Sequence, residues 1–315
     1  MSNVGPNQPS TWPDQREPAS PSSFTGGSYR GDVGVTAPKD AWPVPRIRVG
    51  CDFTWKSEIP TAAVVQVELR HDAAFGIDTE LWSADPAVES RIYLDGYDNR
   101  CRRLTFPPGT IGLRYDARVS VSDDPDAADP QASEVAPEDL PDDTLVFTLP
   151  SRFCPSDLLA DEAWQRFGGV PPGYGRVQTI CEHVHKRLTW QAGASSPSTS
   201  AIEVLASGTG VCRDFAHLMI SFCRALNIPA RYAFGYLPDI GVAPPDVVMD
   251  FCAWTEVFLG GHWCTFDPRN NERRIGRVLI GRGRDALDVA MVTTFGGPEL
   301  VEMVVWADEV LDPTP

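Results

Sequence analysis

The rhythm of apolar and polar positions changes twice along this chain. Residues 1–44 show no periodic apolar face. They are rich in Pro, Ser, Gly and Asn with few aliphatic residues, a composition that cannot bury enough surface to offset chain entropy. This predicts a disordered tail over 1–44. From Arg46 the apolar positions gather into short β-like runs, among them 63–69 and 113–121. The second alternates apolar and polar residues at period two, as a half-buried antiparallel strand does. Asp98-Asn99 and Pro107-Pro108-Gly109 punctuate these runs as turns. A small all-β sandwich is expected over 46–122. The acidic, Pro-rich stretch 122–143 follows as a linker, so the first domain is placed at 45–143.

Beyond Pro155 the period lengthens to that of a helix. Val177, Ile180, Cys181, Val184 and Leu188 recur on one helical face. Ser200 followed by Glu203 has capping-box spacing and predicts a short helix starting there. A further helix runs from Cys212 to about Leu226 and stops at Asn227-Ile228-Pro229. Strands are predicted at 230–236, 251–259 and 262–267, the last two joined by Gly260-Gly261. Another over 299–306 is expected to close the same sheet. Helices followed by an antiparallel sheet define an α+β domain, placed at 144–315.

Composition narrows the function classes. A net charge of −16 argues against binding a phosphate backbone, so no nucleic-acid partner is expected. No run approaches the roughly 20 apolar residues that span a bilayer, and the first residues lack a basic and apolar leader pattern. A cytoplasmic protein without membrane association is expected. Its eight cysteines then read as free thiols rather than a disulfide framework.

The chemistry concentrates in three short segments: Gly210-Val211-Cys212-Arg213-Asp214, Asp250-Phe251-Cys252-Ala253-Trp254 and Thr265-Phe266-Asp267-Pro268. The first places a thiol at a helix start, where the helix dipole favours the thiolate. The helix's unpaired N–H groups can also stabilise an oxyanion there. Here the chain resembles bacterial transglutaminase-like proteins, which have a papain-like cysteine-enzyme core. The resemblance covers roughly 155–295. It implies that core, preceded by a β-rich region, with Cys212 as nucleophile and Asp267 as the carboxylate that orients a histidine. The histidine's own position holds Cys252.

Five histidines could compensate. His262 lies on the same hairpin, but the Gly-Gly turn pairs it with Leu259. Cys252 and Asp267 then share one face while His262 points to the other, roughly 23 Å of strand away. His217 is about 140° round the helix from Cys212 and reads as a packed residue. His183 and His185 belong to the earlier helix, and His71 to the β region.

Three functions fit these residues. The first is a cysteine-dependent acyl-transfer or amide- or thioester-cleaving enzyme, taking an amide, ester or thioester that could be a peptide, with no cofactor. The second is a non-catalytic binding or scaffold member. The third is a Cys212/Cys252 pair, with Asp267 alongside, that ligates a metal or forms a disulfide.

Overall fold

In the computed structural model, residues 45–71, 75–243 and 247–310 are described. The expected tail over 1–44 lies outside them. The first six strands are β1 (Arg46–Ser57), β2 (Thr61–Val65), β3 (Phe75–Asp85), β4 (Ser90–Leu94), β5 (Arg100–Phe106) and β6 (Gly109–Val121). Then follow α1 (Ala160–Phe167), α2 (Tyr174–Arg187), β7 (Thr189–Trp190), α3 (Ala201–Ser207), β8 (Thr209–Gly210) and α4 (Cys212–Ala225). The chain closes with β9 (Ala230–Tyr236), β10 (Cys252–Leu259), β11 (His262–Phe266), β12 (Val278–Gly283), β13 (Val292–Thr294) and β14 (Glu299–Glu309). Among the described residues no helix is long and apolar enough to cross a membrane.

The β region is built by period-two burial. Ile47, Val49, Cys51, Phe53 and Trp55 of β1 face inward, as do Ile111, Leu113, Tyr115, Ala117 and Val119 of β6. One sheet runs β14-β1-β6-β3 and a second β13-β2-β5-β4. The segment around 299–306, expected to close the sheet of the second region, instead forms β14 and pairs antiparallel with β1. β13 likewise pairs with β2. The boundary expected near residue 143 is therefore not a boundary of strand pairing: the chain's last strands complete its first sheets. Local pattern cannot specify this, because a strand's partner is a non-local choice.

The second region is a sheet in the order β11-β10-β9-β12, with α4 against β10 and β9. Every residue of β10 is buried, so this strand has no solvent-facing side. The α4 helix is similarly enclosed, from Asp214 to Arg224. Arg224 satisfies its buried guanidinium with carbonyl oxygens: Ala230 at 2.9 Å, Leu149 at 3.1 Å and Arg284 at 2.6 Å. The helix ends at Ala225, and Asn227 takes a left-handed φ of 63° just before Pro229. The Ser200–Glu203 capping box forms, with the Ser200 N–H donating to Glu203 at 2.7 Å.

The two regions meet through Phe251. Its ring lies 6.3 Å from Phe53 of β1 and 5.2 Å from Tyr236 of β9, and the Tyr236 hydroxyl donates to the Val67 carbonyl at 3.0 Å. The stretch 122–143, acidic and linker-like in composition, is in fact a strap fastened to the second region. The Tyr174 N–H donates to Ala132 O at 2.9 Å and the Gly260 N–H to Ser133 O at 2.8 Å, while Glu134 pairs with Arg176 at 3.3 Å. Short 3₁₀ turns at Pro137–Asp139 and Asp142–Thr148 continue it.

Candidate active site

Cys212 opens α4, and the local sequence fixes that start. The Asp214 carboxylate turns back to accept the Val211 N–H at 2.8 Å. It also accepts the Ser195 hydroxyl at 2.5 Å and lies 3.2 Å from Arg213. Room for this carboxylate depends on Gly210. A Cβ there would stand 2.8 Å from the Asp214 Cβ and 3.1 Å from Oδ2. Gly210 also pairs with Trp190 in the short parallel β7–β8 ladder that leads into the helix. The spacing of Gly210, Cys212 and Asp214 is thus one device: glycine makes space, aspartate caps, and cysteine receives the exposed first turn. The Asp214 and Phe215 N–H groups both donate to Val211 O, so the N–H groups of Cys212 and Arg213 begin the helix without an intrahelical acceptor.

Of the eight cysteines, Cys212 alone is half-buried and the other seven are buried. Its sulfur lies 3.8 Å from the Phe251 carbonyl oxygen, against the peptide that leads into Cys252. The neighbouring Cys252 thiol, within hydrogen-bonding reach, is the main cause that holds the Cys212 thiol below its ordinary pKa. Burial opposes it. The Ala253 N–H and the nearby Arg269 guanidinium assist, while Asp250 counteracts. Cys252 moves the other way, well above the ordinary range, because of its contact with the Cys212 thiol and its own burial. Burial pushes Cys51, Cys154 and Cys181 up to about 12 and Cys264 to about 11.

These values set an expected result for thiol chemistry. Sub-stoichiometric iodoacetamide should label Cys212 first, at a pH below the ordinary thiol midpoint of about 8.5. Peptide mass mapping checks this, and preferential labelling of Cys264 or Cys223 would contradict it.

Asp267 is brought to the same end of the sheet, as the hairpin register requires. Leu259 pairs with His262 and Thr255 with Phe266 across Gly260 and Gly261, whose φ values of 58° and 85° fit glycine. Yet Asp267 is fully engaged elsewhere. Oδ1 accepts the N–H groups of Arg269 at 3.1 Å and Asn270 at 2.9 Å. Oδ2 accepts the Asn270 amide at 2.8 Å and Arg277 Nη2 at 2.8 Å. Burial pushes its carboxyl pKa up, but Arg277 and these donors outweigh it and hold the value below the ordinary one. Arg277 is itself clamped by Asp126 of the strap at 2.7 Å and lies over the Trp254 ring at 5.0 Å. Asp126, Arg277 and Asp267 thus form one largely enclosed ion-pair chain. A cavity of about 300 Å³ opens beside it, lined by Asp126, Tyr174, Cys181, Asp267 and Asn271.

The five histidines are each engaged elsewhere. His262 is half-exposed at the turn, 3.8 Å from Asp129. His217 is wholly buried between Phe153 and Tyr232 and accepts the Ala286 N–H at 3.1 Å. Burial holds it well below its ordinary pKa, in the neutral form. His183 packs against Phe167 and Phe222. His185 donates to the Arg269 carbonyl at 2.9 Å and so steadies the loop after Asp267. His71 contacts Arg100 at 3.0 Å in the β region. Among the described residues no group of three or more His, Cys, Asp or Glu side chains is placed to hold a metal ion. Both oxygens of Asp267 are committed to other partners, so Cys212, Cys252 and Asp267 do not form the ligand set considered from sequence.

Comparison with known proteins agrees with this architecture. Residues 162–268 match the transglutaminase-like superfamily. An uncharacterized protein of Mycobacterium bovis is 30% identical over 227 residues, spanning 65% of this chain and 72% of the relative. One from Mycobacterium leprae is 36% identical over 117 residues, 36% of this chain and 42% of that protein. A crystal structure from Cytophaga hutchinsonii, provisionally described as a cysteine protease, is 32% identical. It superposes with a TM-score of 0.75 over 86% of this chain and 93% of its own. The chain belongs to the transglutaminase-like superfamily. It pairs a mixed helix and antiparallel-sheet core with an all-β region.

Proposed function

We propose that this protein is a cysteine-dependent acyl-transfer enzyme with Cys212 as nucleophile, acting on thioesters and activated esters ahead of amides. The observation that carries this reading is the setting of Cys212, the one cysteine that is not buried, at the start of α4. The Cys212 thiolate attacks the carbonyl carbon, and the N–H groups at the helix start receive the oxyanion.

The departing group decides the substrate class. An amine leaves only if it is protonated, the usual task of imidazolium. Cys252 holds its proton too tightly to serve. A thiolate, whose conjugate acid has a pKa of about 8.5, departs without a proton. Deacylation follows the same logic: water lacks a base to activate it, so a free thiol or amine acceptor takes the acyl group. In this role Asp267 positions nothing mobile; with Arg277 it fixes the loop that carries Arg269 beside Cys212.

The test compares a chromogenic thioester with the matching anilide. The thioester should react with a burst of one equivalent, the anilide should not be cleaved, and Cys212→Ala should abolish the burst. Anilide cleavage at a similar rate, or thioester cleavage that survives Cys212→Ala, would reject the reading.

A further inference from the structure

The thiol at residue 252 lies next to the peptide that the Cys212 sulfur contacts, so two cysteines are neighbours here, and the acyl-transfer reading does not use them as a pair. Their settings differ in a way that matters. Cys212 is half-buried and reachable from solvent, whereas Cys252 is only 3% exposed at the first position of β10. The Cys212 sulfur lies against the 251–252 peptide, 3.8 Å from the Phe251 carbonyl oxygen. A small oxidant can therefore reach one thiol only, and the second waits behind it. Cys154, Cys181 and Cys223 are buried in the apolar core.

We propose that Cys212 and Cys252 form a peroxide-responsive dithiol, in which Cys212 is the oxidised residue and Cys252 the resolving one. The Cys212 thiolate attacks one oxygen of hydrogen peroxide. The O–O bond breaks, hydroxide leaves, and Cys212 becomes a sulfenic acid. The Cys252 sulfur then attacks the Cys212 sulfur; an S–S bond forms, the S–O bond breaks, and the hydroxyl leaves as water with the Cys252 proton. Two thiols are oxidised and one peroxide is reduced to two waters. The disulfide ties the first turn of α4 to the first residue of β10 and removes the nucleophile reversibly. The Phe251 carbonyl accepts from the Cys212 thiol at 3.8 Å and the Ala253 carbonyl from the Cys252 thiol at 3.7 Å, so both thiols lie against the same short stretch of backbone.

This inference is separable from the acyl-transfer reading, because it needs proximity of two thiols and no acyl substrate. Treat the reduced full chain with hydrogen peroxide, then map peptides without reduction. Wild type should show a peptide cross-linked through Cys212 and Cys252, with loss of alkylation at Cys212 that dithiothreitol restores. In Cys252→Ser the Cys212 sulfenic acid should persist long enough to be trapped by dimedone. It should then pass to the sulfinic acid, which dithiothreitol does not reverse. Diamide on wild type should give the same cross-link, so the result does not depend on the variant's folding. A wild-type Cys212 that passes to the sulfinic acid without a cross-link, a cross-link to another cysteine, or no reaction at all would overturn the proposal. Acylation of the reduced protein, measured in parallel, tells this failure from failure of Cys212 as acyl acceptor.

Discussion

Cys252→His should raise thioester and ester hydrolysis by about a hundredfold, and the gain should vanish in the Cys252→His/Cys212→Ala double variant. The change puts an imidazole where a buried thiol now neighbours the Cys212 sulfur. Imidazole can take the proton of attacking water and pass one to the departing group. Such help is worth roughly 10²–10⁴-fold. The lower end is expected because Asp267 is not free to orient the ring. Four donors already occupy its two oxygens, and one of them, Asn270 or Arg277, must yield. The larger side chain at a buried position should also cost about 1–3 kcal/mol of stability. Turnover of a chromogenic ester panel, with circular dichroism to confirm folding, is the check. No gain, or a gain that survives loss of Cys212, would show that residue 252 does not stand where a base can work.

Arg277→Met should cause the largest loss of stability among changes near the site. The guanidinium bridges Asp126 and Asp267; Asp267 is buried and the Arg277 side chain is largely enclosed. Removing it leaves the buried Asp267 carboxylate without its counter-charge, an effect of about 3–5 kcal/mol. In wild type, Asp267 has its pKa held below the ordinary 3.8, so its stabilising contribution is full above that value and fades as pH falls below it. Without Arg277 the burial effect dominates and the folded pKa rises above the unfolded one. The folded variant then binds more protons than the unfolded chain in that window, and its stability falls as pH rises. The loss should therefore be smaller near about pH 4 than near about pH 7. Urea unfolding of both proteins at the two pH values measures this. A loss under about 1 kcal/mol, or one equal at both pH values, would contradict a largely enclosed Asp126–Arg277–Asp267 chain.

Much of the site is legible in the sequence because its determinants are local. A glycine two residues before a cysteine and an aspartate two residues after it specify a capped helix start, and α4 begins at Cys212. The Gly260-Gly261 turn fixes the hairpin register, and from it the common face of Cys252 and Asp267 and the exclusion of His262. What was not legible is non-local. Asp126 and Arg277 are separated by 151 residues, and neither sits in a recognisable motif. The strap's Asp and Pro content reads as solvated linker; its function as a fastening depends on which cations the fold brings to it. The destination of β14 is of the same kind: its alternation shows a strand but not whether it lies beside β1 or β12. His185 and Asn270, which brace the loop after Asp267, carry no sequence signal that separates them from surface polar residues.

The most direct test of the account is the mass of the reduced protein after incubation with an activated acyl thioester and no added acceptor. A poorly activated water should leave the acyl group in place, so one acyl group is expected per chain, located at Cys212 by peptide mapping and absent from Cys212→Ala. Unmodified wild-type protein, or an acyl group that maps to another residue, would contradict Cys212 as the nucleophile.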